Sequence, residues 1–234
     1  MRPAGASASF SGPPGSRRPL VQAVEVTVHK PQAPVGVPFG DVQVVVERRR
    51  DEPVVIALGA NLGSVQATLE AAVRQLADVD GLRITAVSDL FETDPVGGPE
   101  QPAYLNAVVL ARTRLGAFAL LTELQGIEAD HGRVRETRWG ARSLDLDLIQ
   151  YGDPETGSDL ISNDPELTLP HPRAHERGFV LVPWSSVDTQ AVLRVGEALV
   201  PVSELLEAAD HGDGDDAASD AAGVRPGPDW SPSW

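Results

Sequence analysis

The sequence predicts an α+β fold, an antiparallel sheet built in the order β-α-β-β-α-β, the ferredoxin-like arrangement, with elements added at the C-terminal end. Three observations predict it. Strand-like runs such as Val54 to Leu58 and Tyr104 to Arg114 alternate with stretches whose apolar residues recur at helical spacing, as Leu69, Val73 and Leu76 do. Strand-like runs lie on both sides of each helical stretch. Leu144, Leu146 and Leu148 alternate with Asp145 and Asp147, the period of a strand with one face buried and one open.

Residues 1–18 are rich in Pro, Gly and Ser and are expected to be disordered. Residues 19–47 hold two apolar runs, Val21 to Val28 and Val42 to Val46, around the Pro/Gly-rich turn Gln32 to Gly40. That pattern is a β-hairpin, which is marginal on its own. Residues 48–53 are a charged linker, and the main domain is expected over 54–206.

Within that domain, Val54 to Leu58 is a buried strand, followed by the turn GANLGS, in which Ser64 is positioned to cap a helix over Val65 to Ala77. Leu82 to Glu92 is one long strand. Thr93 to Ala103 has three prolines and two glycines and is a loop. Tyr104 to Arg114 is a strand, and Ala117 to Asp130 a helix with Phe118, Leu121, Leu124 and Ile127 facing inward. An arginine-rich loop leads to the Leu144–Tyr151 strand. A short hairpin near Leu160 to Leu169, a strand over Gly178 to Pro183, and a small hairpin and helix over Val195 to Leu206 complete the domain. From Glu207 to Trp234 the chain is acidic and rich in Gly, Ala and Pro, and is expected to be a disordered tail.

Composition narrows the function. There is no cysteine, hence neither a disulfide framework nor a thiolate metal site. No apolar run approaches the ~20 residues of a membrane span, and the N-terminus lacks the apolar core of a secretory signal. A cytoplasmic location, without membrane association, is expected. A net charge of −15 argues against non-specific nucleic-acid binding. Lys30 is the single lysine, and no G-x-x-x-x-G-K-[ST] motif occurs. If the main domain handles nucleotide phosphates, arginine must supply the positive charge.

Asp145 and Asp147 share a strand face, and adjacent carboxylates repel unless a cation lies between them, for which Mg²⁺ is the usual candidate. Arg133, Arg135, Arg138 and Arg142 lie just upstream, and the planar guanidinium matches phosphate oxygens. Together these point to a polyphosphate substrate. Taken alone, an Asp-x-Asp also fits a solvated edge strand and an arginine run a wet face. The long Thr93–Ala103 loop precedes Tyr104 and Asn106, whose spacing puts a ring and an amide on one sheet face, suited to a flat heteroaromatic ligand. A core tyrosine with a polar neighbour fits those two residues as well. His171 stands between two prolines, with Arg177 and Phe179 close behind.

RWGARSLDLDLI (138–149), ALGANLGS (57–64), FETDPVGGPEQPAYLNAVV (91–109), IEADHGRVR (127–135) and LTLPHPRAHERGFVLVP (167–183) resemble, in order, the blocks of the 6-hydroxymethyl-7,8-dihydropterin pyrophosphokinases. The resemblance implies a ferredoxin-like fold and transfer of pyrophosphate from ATP to the pterin hydroxymethyl group, releasing AMP, in folate biosynthesis. It implies two Mg²⁺ ions on Asp145 and Asp147, with Arg133 and Arg142 following the phosphate charge. On the ATP side it implies Gln125, Glu128, Arg135, Arg138, Trp139, Leu148, Thr168, His171 and Arg177. On the pterin side it implies Thr93, Val96, Tyr104, Asn106, Asp145 and Phe179, with Trp139 closing over the site. The chain departs from some members at Glu166 and Pro172 and is about one residue shorter between Arg135 and Trp139, which bears on nucleotide affinity rather than on the reaction.

The N-terminal VEVTVHKPQAPVGVPFGDVQVVV (24–46) resembles the C-terminal end of dihydroneopterin aldolase, whose catalytic lysine would match Lys30. The preceding part of an aldolase is absent, so aldolase activity is not expected, and the hairpin is a candidate contact surface for a folate-pathway enzyme. Two other classes compete: a different Mg²⁺-dependent transferase using the same Asp-x-Asp, and a non-catalytic interaction protein.

Overall fold

The computed structural model describes residues 23–28, 42–47, 51–95, 101–132, 143–211 and 223–234. The chain divides into two units, 1–50 and 51–234. In the first, β1 (Ala23–Val28) pairs antiparallel with β2 (Val42–Glu47), Ala23 facing Glu47 and Val28 facing Val42. Residues 1–22 and 29–41, which include the expected disordered segment and Lys30, lie outside the described residues, as do 48–50.

The second unit is α+β. Its elements are β3 (Glu52–Ala60), α1 (Val65–Asp78), β4 (Leu82–Val87), β5 (Phe91–Thr93), β6 (Tyr104–Thr113), α2 (Ala117–Asp130) and β7 (Asp145–Tyr151). They continue with β8 (Ser162–Asn163), β9 (Thr168–Leu169), a 3₁₀ turn (Ala174–Glu176), α3 (Gly178–Val187), β10 (Val192–Val195), β11 (Ala198–Pro201), α4 (Val202–His211) and β12 (Arg225–Pro226). The main sheet runs β12-β5-β6-β3-β7, with β4 also paired to β6, and every pairing is antiparallel.

The two faces of this sheet have different duties. On one face Ile56, Leu58, Ala107, Val109, Leu146 and Leu148 pack against Leu69, Val73 and Leu76 of α1 and Leu120, Leu124 and Ile127 of α2. On the other, Val55, Ala57, Val108 and Ile149 meet Val180, Leu181 and Trp184 of α3, with Leu193 and Val202 beside them. Burial of this apolar area is the main favourable term in folding. The second cluster covers only part of its face. The rest, toward Gly59, carries polar side chains from β6 and β7.

A bulge sets the phase of β7. Val55 pairs with Gln150 but Ile56 pairs with Leu148, so Ile149 is extra. The offset returns Tyr151 to the α1/α2 side, where its hydroxyl donates to the Leu115 carbonyl at 2.6 Å. Leu146 and Leu148 keep their core face and the aspartates keep the other.

Several expectations are corrected. Gly178 to Pro183 is the start of a helix, not a strand: a short apolar run carries no period that separates the two, and Val180, Leu181 and Trp184 bury one helical face. The long strand expected over Leu82 to Glu92 breaks into β4 and β5 at Ser88, whose side chain accepts from the Val108 N–H at 2.9 Å. On α2 the buried residues are Ala117, Leu120, Leu124 and Ile127, Leu121 packs partly buried against the same core, and Phe118 is 46% exposed. Ser64 precedes α1 but its side chain makes no cap bond. The tail is not featureless. α4 extends through His211, residues 212–222 lie outside the described set, and Arg225–Pro226 forms a sheet strand.

Candidate active site

The open part of the α3 face is built from three adjacent strands. Gly59 of β3 pairs with Asn106 of β6 on one side and with Asp145 of β7 on the other. Ala57, two residues back, pairs with Val108 and Asp147. Directly opposed residues point to the same side of a sheet, so Asn106, Asp145 and Asp147 project from one surface. Glycine in the middle leaves the space between the amide and the carboxylate open. A Cβ there would stand 3.1 Å from Oδ1 of Asn106.

Asn106 is oriented by its neighbour on β5. Its Nδ2 donates to Oγ1 of Thr93 at 2.9 Å, and both residues are buried. Tyr104 lies two residues before it on the same face, and its hydroxyl donates to Oε1 of Gln101 at 3.2 Å. Gln101 also accepts from Nδ2 of Asn61, which donates to the Pro102 carbonyl as well, at 3.1 Å each. Asn61 and Gln101 are participants that sequence reasoning missed. A lone asparagine in a strand–helix turn gives no signal of its burial.

Across β3, the segment after β9 brings cationic and imidazole groups to Asp147. The His171 N–H donates to the Ile149 carbonyl at 2.8 Å, which fastens the segment to β7. Arg177, just before α3, donates from Nη1 to Oδ2 of Asp147 at 3.2 Å. The same guanidinium lies 5.4 Å from the ring centroid of Phe179, a cation–π distance. Nε2 of His171 stands 3.4 Å from Nη1 of Arg177, and its Nδ1 accepts from the Arg173 N–H at 3.3 Å. Donors facing both ring nitrogens disfavour the imidazolium. Burial is the main cause that lowers the His171 pKa below its ordinary value, opposed by the charge of Asp147 and helped by that of Arg177.

Glu128 supports the aspartate strand from beneath. It is 2% exposed, and its Oε1 accepts the N–H of Leu146, between the two aspartates, at 2.8 Å. Expected on the ATP side, it is bound to the sheet. The Leu148 side chain is core, among the leucines facing α1 and α2. Gln125 is exposed on α2. Thr168, on β9, donates to the Asp164 carbonyl at 3.2 Å. Glu166 and Pro172 are exposed. Val96, Arg133, Arg135, Arg138, Trp139 and Arg142 lie outside the described residues.

The donor set suits a hard divalent cation. Asp145 and Asp147 are half-buried oxygen donors two residues apart on one face. Among the described residues no cluster of three or more His, Asp or Glu side chains is placed to hold a metal by itself. Mg²⁺ fits such a pair because it takes one or two carboxylates and completes its shell with water and substrate phosphate. A separate cleft of ≈ 350 Å³, lined by Leu110, Gln150, Asp153 and Trp184, lies at the opposite end of these strands. No helix among the described residues is long and apolar enough to cross a membrane.

Comparison with known proteins shows the family. The sequence model of the 7,8-dihydro-6-hydroxymethylpterin-pyrophosphokinase family matches residues 55–189. The chain is 46% identical over 158 residues to 2-amino-4-hydroxy-6-hydroxymethyldihydropteridine pyrophosphokinase of Mycobacterium leprae, covering 65% of this chain and 81% of that protein. It is 38% identical to the enzyme of that name in Haemophilus influenzae, over 67% of this chain and 92% of the relative. A crystal structure of Plasmodium falciparum HPPK-DHPS shares the fold, with a TM-score of 0.53 at 11% identity, over 77% of this chain. This chain spans 47% of that structure. The chain belongs to the 7,8-dihydro-6-hydroxymethylpterin-pyrophosphokinase family and is an enzyme of that class.

Proposed function

We propose that the chain transfers pyrophosphate from ATP to 6-hydroxymethyl-7,8-dihydropterin in a Mg²⁺-dependent reaction, giving AMP and the pterin diphosphate in folate biosynthesis. One observation carries the reading. A single row of paired residues, Asn106–Gly59–Asp145, joins an oriented amide to an acidic strand through a glycine gap. On one side Thr93, Asn106 and Tyr104 offer the donors, acceptors and ring that a pterin needs. On the other, Asp145 and Asp147 lie beside Arg177 and His171, where a polyphosphate would meet hydrogen-bond donors.

The hydroxymethyl oxygen attacks the β-phosphorus, its bond to the α–β bridging oxygen breaks, and AMP departs with that oxygen. Asp145 and Asp147 would hold Mg²⁺, which when bound neutralises phosphate charge. Arg177 holds Asp147 and would exchange that contact for a phosphate oxygen. Arg133 and Arg142 would follow the charge as it develops, a burden that falls on arginine because this domain has no lysine. Arg135, Arg138, Trp139 and Thr168 would complete the ATP side, with Gln125 at its edge, and Val96 and Phe179 the pterin side. Support comes from the family match and from this geometry. The cytoplasm is the compartment this reading assumes, and the N-terminal hairpin remains a candidate contact for a pathway enzyme.

The test is incubation of the full chain with ATP, Mg²⁺ and 6-hydroxymethyl-7,8-dihydropterin, followed by nucleotide analysis. AMP that requires the pterin supports the reading. ADP in its place would identify an ordinary phosphokinase and overturn it. Asp147→Ala should abolish AMP formation while the far-ultraviolet dichroism is unchanged, and an active variant would sink the role given to Asp147.

A further inference from the structure

The C-terminal segment 223–234 lies beyond the family match, yet it is fastened to the sheet along the length of residues 88–94. Arg225 pairs with Glu92 and Pro226 with Phe91. The Gly227 N–H donates to the Leu90 carbonyl at 2.8 Å, and Nε1 of Trp230 donates to the Ser88 carbonyl at 2.9 Å. Trp230 also packs against the core on the α1/α2 side, and the Asp229 carbonyl accepts from Gln66 of α1. Gly227 must be glycine at this approach, because a Cβ would come within 2.8 Å of the Leu90 oxygen.

At the far end of this contact the guanidinium of Arg225 grips two acidic residues. Nη1 and Nη2 donate to the two oxygens of Asp94 at 2.8 and 2.9 Å, and Nη2 also donates to Glu92 at 2.9 Å. Single exposed ion pairs contribute little, but a bidentate fork shared by two carboxylates is the exception. Thr93 lies between those carboxylates, and its hydroxyl orients Asn106. Without β12, the three-residue β5 would be an edge strand paired on one side only.

We propose that Arg225 is a positioning residue for the pterin subsite: the C-terminal strand converts β5 from an edge into an internal strand and thereby fixes Thr93 against Asn106. Arg225 touches neither amide nor ring. It acts through Glu92 and Asp94, on either side of Thr93. The inference rests on the pterin reading of Thr93, Tyr104 and Asn106, and it adds a specificity element from outside the family's matched region.

The experiment compares the full chain with Arg225→Ala and Arg225→Lys. Equilibrium titration with 6-hydroxymethylpterin and with ATP is run beside hydrogen exchange of residues 88–94. The expected result is pterin binding weakened by about tenfold in Arg225→Ala, the scale of a misplaced rather than a missing wall, with ATP binding unchanged. Exchange over 88–94 should quicken, and Arg225→Lys, which keeps the charge but loses the fork, should fall between. Unchanged pterin binding would overturn the proposal, as would equal weakening for both ligands, the sign of general destabilisation. A wild-type chain that binds pterin but makes no AMP sinks the proposed reaction and leaves this comparison standing. One that binds no pterin sinks both.

Discussion

Oε1 of Glu128 and the N–H of Leu146 meet at 2.8 Å in the interior, so a helix carboxylate grips the one residue that separates Asp145 from Asp147. An unmet buried amide costs about 1–3 kcal/mol, so the contact fixes the height of the acidic strand as well as stabilising the fold. Glu128→Gln keeps an acceptor at that place and should retain most of the turnover. Glu128→Ala should lose about 10²-fold in kcat, the scale of a misplaced catalytic group. Steady-state kinetics on the pair checks this. Equal effects of Gln and Ala, confined to the KM for ATP, would make Glu128 a nucleotide contact instead.

Arg177 joins the two halves of the site, touching Asp147 and His171 on one side and the Phe179 ring on the other. Arg177→Ala should therefore weaken both substrates, each by about tenfold, the worth of one charge-assisted contact. Separate binding titrations for ATP and pterin measure this. Loss confined to ATP would remove Phe179 and Arg177 from any shared role.

Gly59 sits where a methyl group would press on the amide of Asn106 at 3.1 Å. Gly59→Ala should displace that amide by a few tenths of an ångström and raise the Kd for pterin by about threefold to tenfold, with the fold retained. Calorimetric titration reads the change. Unchanged pterin affinity would show that the gap between Asn106 and Asp145 is idle space.

The Arg225 clamp makes a pH prediction. The hydrogen bond from Arg225, aided by its charge, holds the Asp94 carboxyl below its ordinary value of 3.8. A carboxyl whose folded pKa is lower than its unfolded one adds stability above the unfolded value, and that addition is lost as pH falls through the folded value. The Arg225–Asp94 contact is thus complete at neutral pH and is lost only in acid below 3.8. Carbon-13 NMR titration of the Asp94 carboxyl should give a midpoint below that of the unfolded chain, returning toward it in Arg225→Ala. A midpoint that ignores the substitution would contradict the clamp.

The acidic strand was legible in the sequence because Asp145 and Asp147 alternate with leucines, and two-residue periodicity survives into the sheet wherever one face is buried. The β-α-β-β-α-β order followed from the alternation of strand-like runs with helically spaced ones. What escaped was written in no period. α3 is a short apolar run, equally compatible with a strand, and only packing of Val180, Leu181 and Trp184 on the sheet decides it. Glu128 was placed on the ATP side by the family resemblance alone, and its burial depends on the amide of Leu146, 18 positions away. The C-terminal strand was hidden by its composition. Acidic, Gly- and Pro-rich sequence reads as disorder, yet Arg225 and Trp230 find partners more than 130 residues earlier. Of the residues proposed for the pterin, Tyr104 and Asn106 were visible as a spaced pair, whereas Gly59, which pairs with both Asn106 and Asp145, was read only as part of a turn.

In the proposed reaction the row Asn106–Gly59–Asp145 brings a pterin alcohol to a triphosphate held over the aspartates. Phosphorus-31 NMR of a single reaction mixture tests it most directly. Full chain, ATP, Mg²⁺ and 6-hydroxymethyl-7,8-dihydropterin should yield AMP and a pterin-bound diphosphate in equal amounts, with no ADP. ADP with a pterin monophosphate, or AMP and free pyrophosphate with the pterin unchanged, would contradict it.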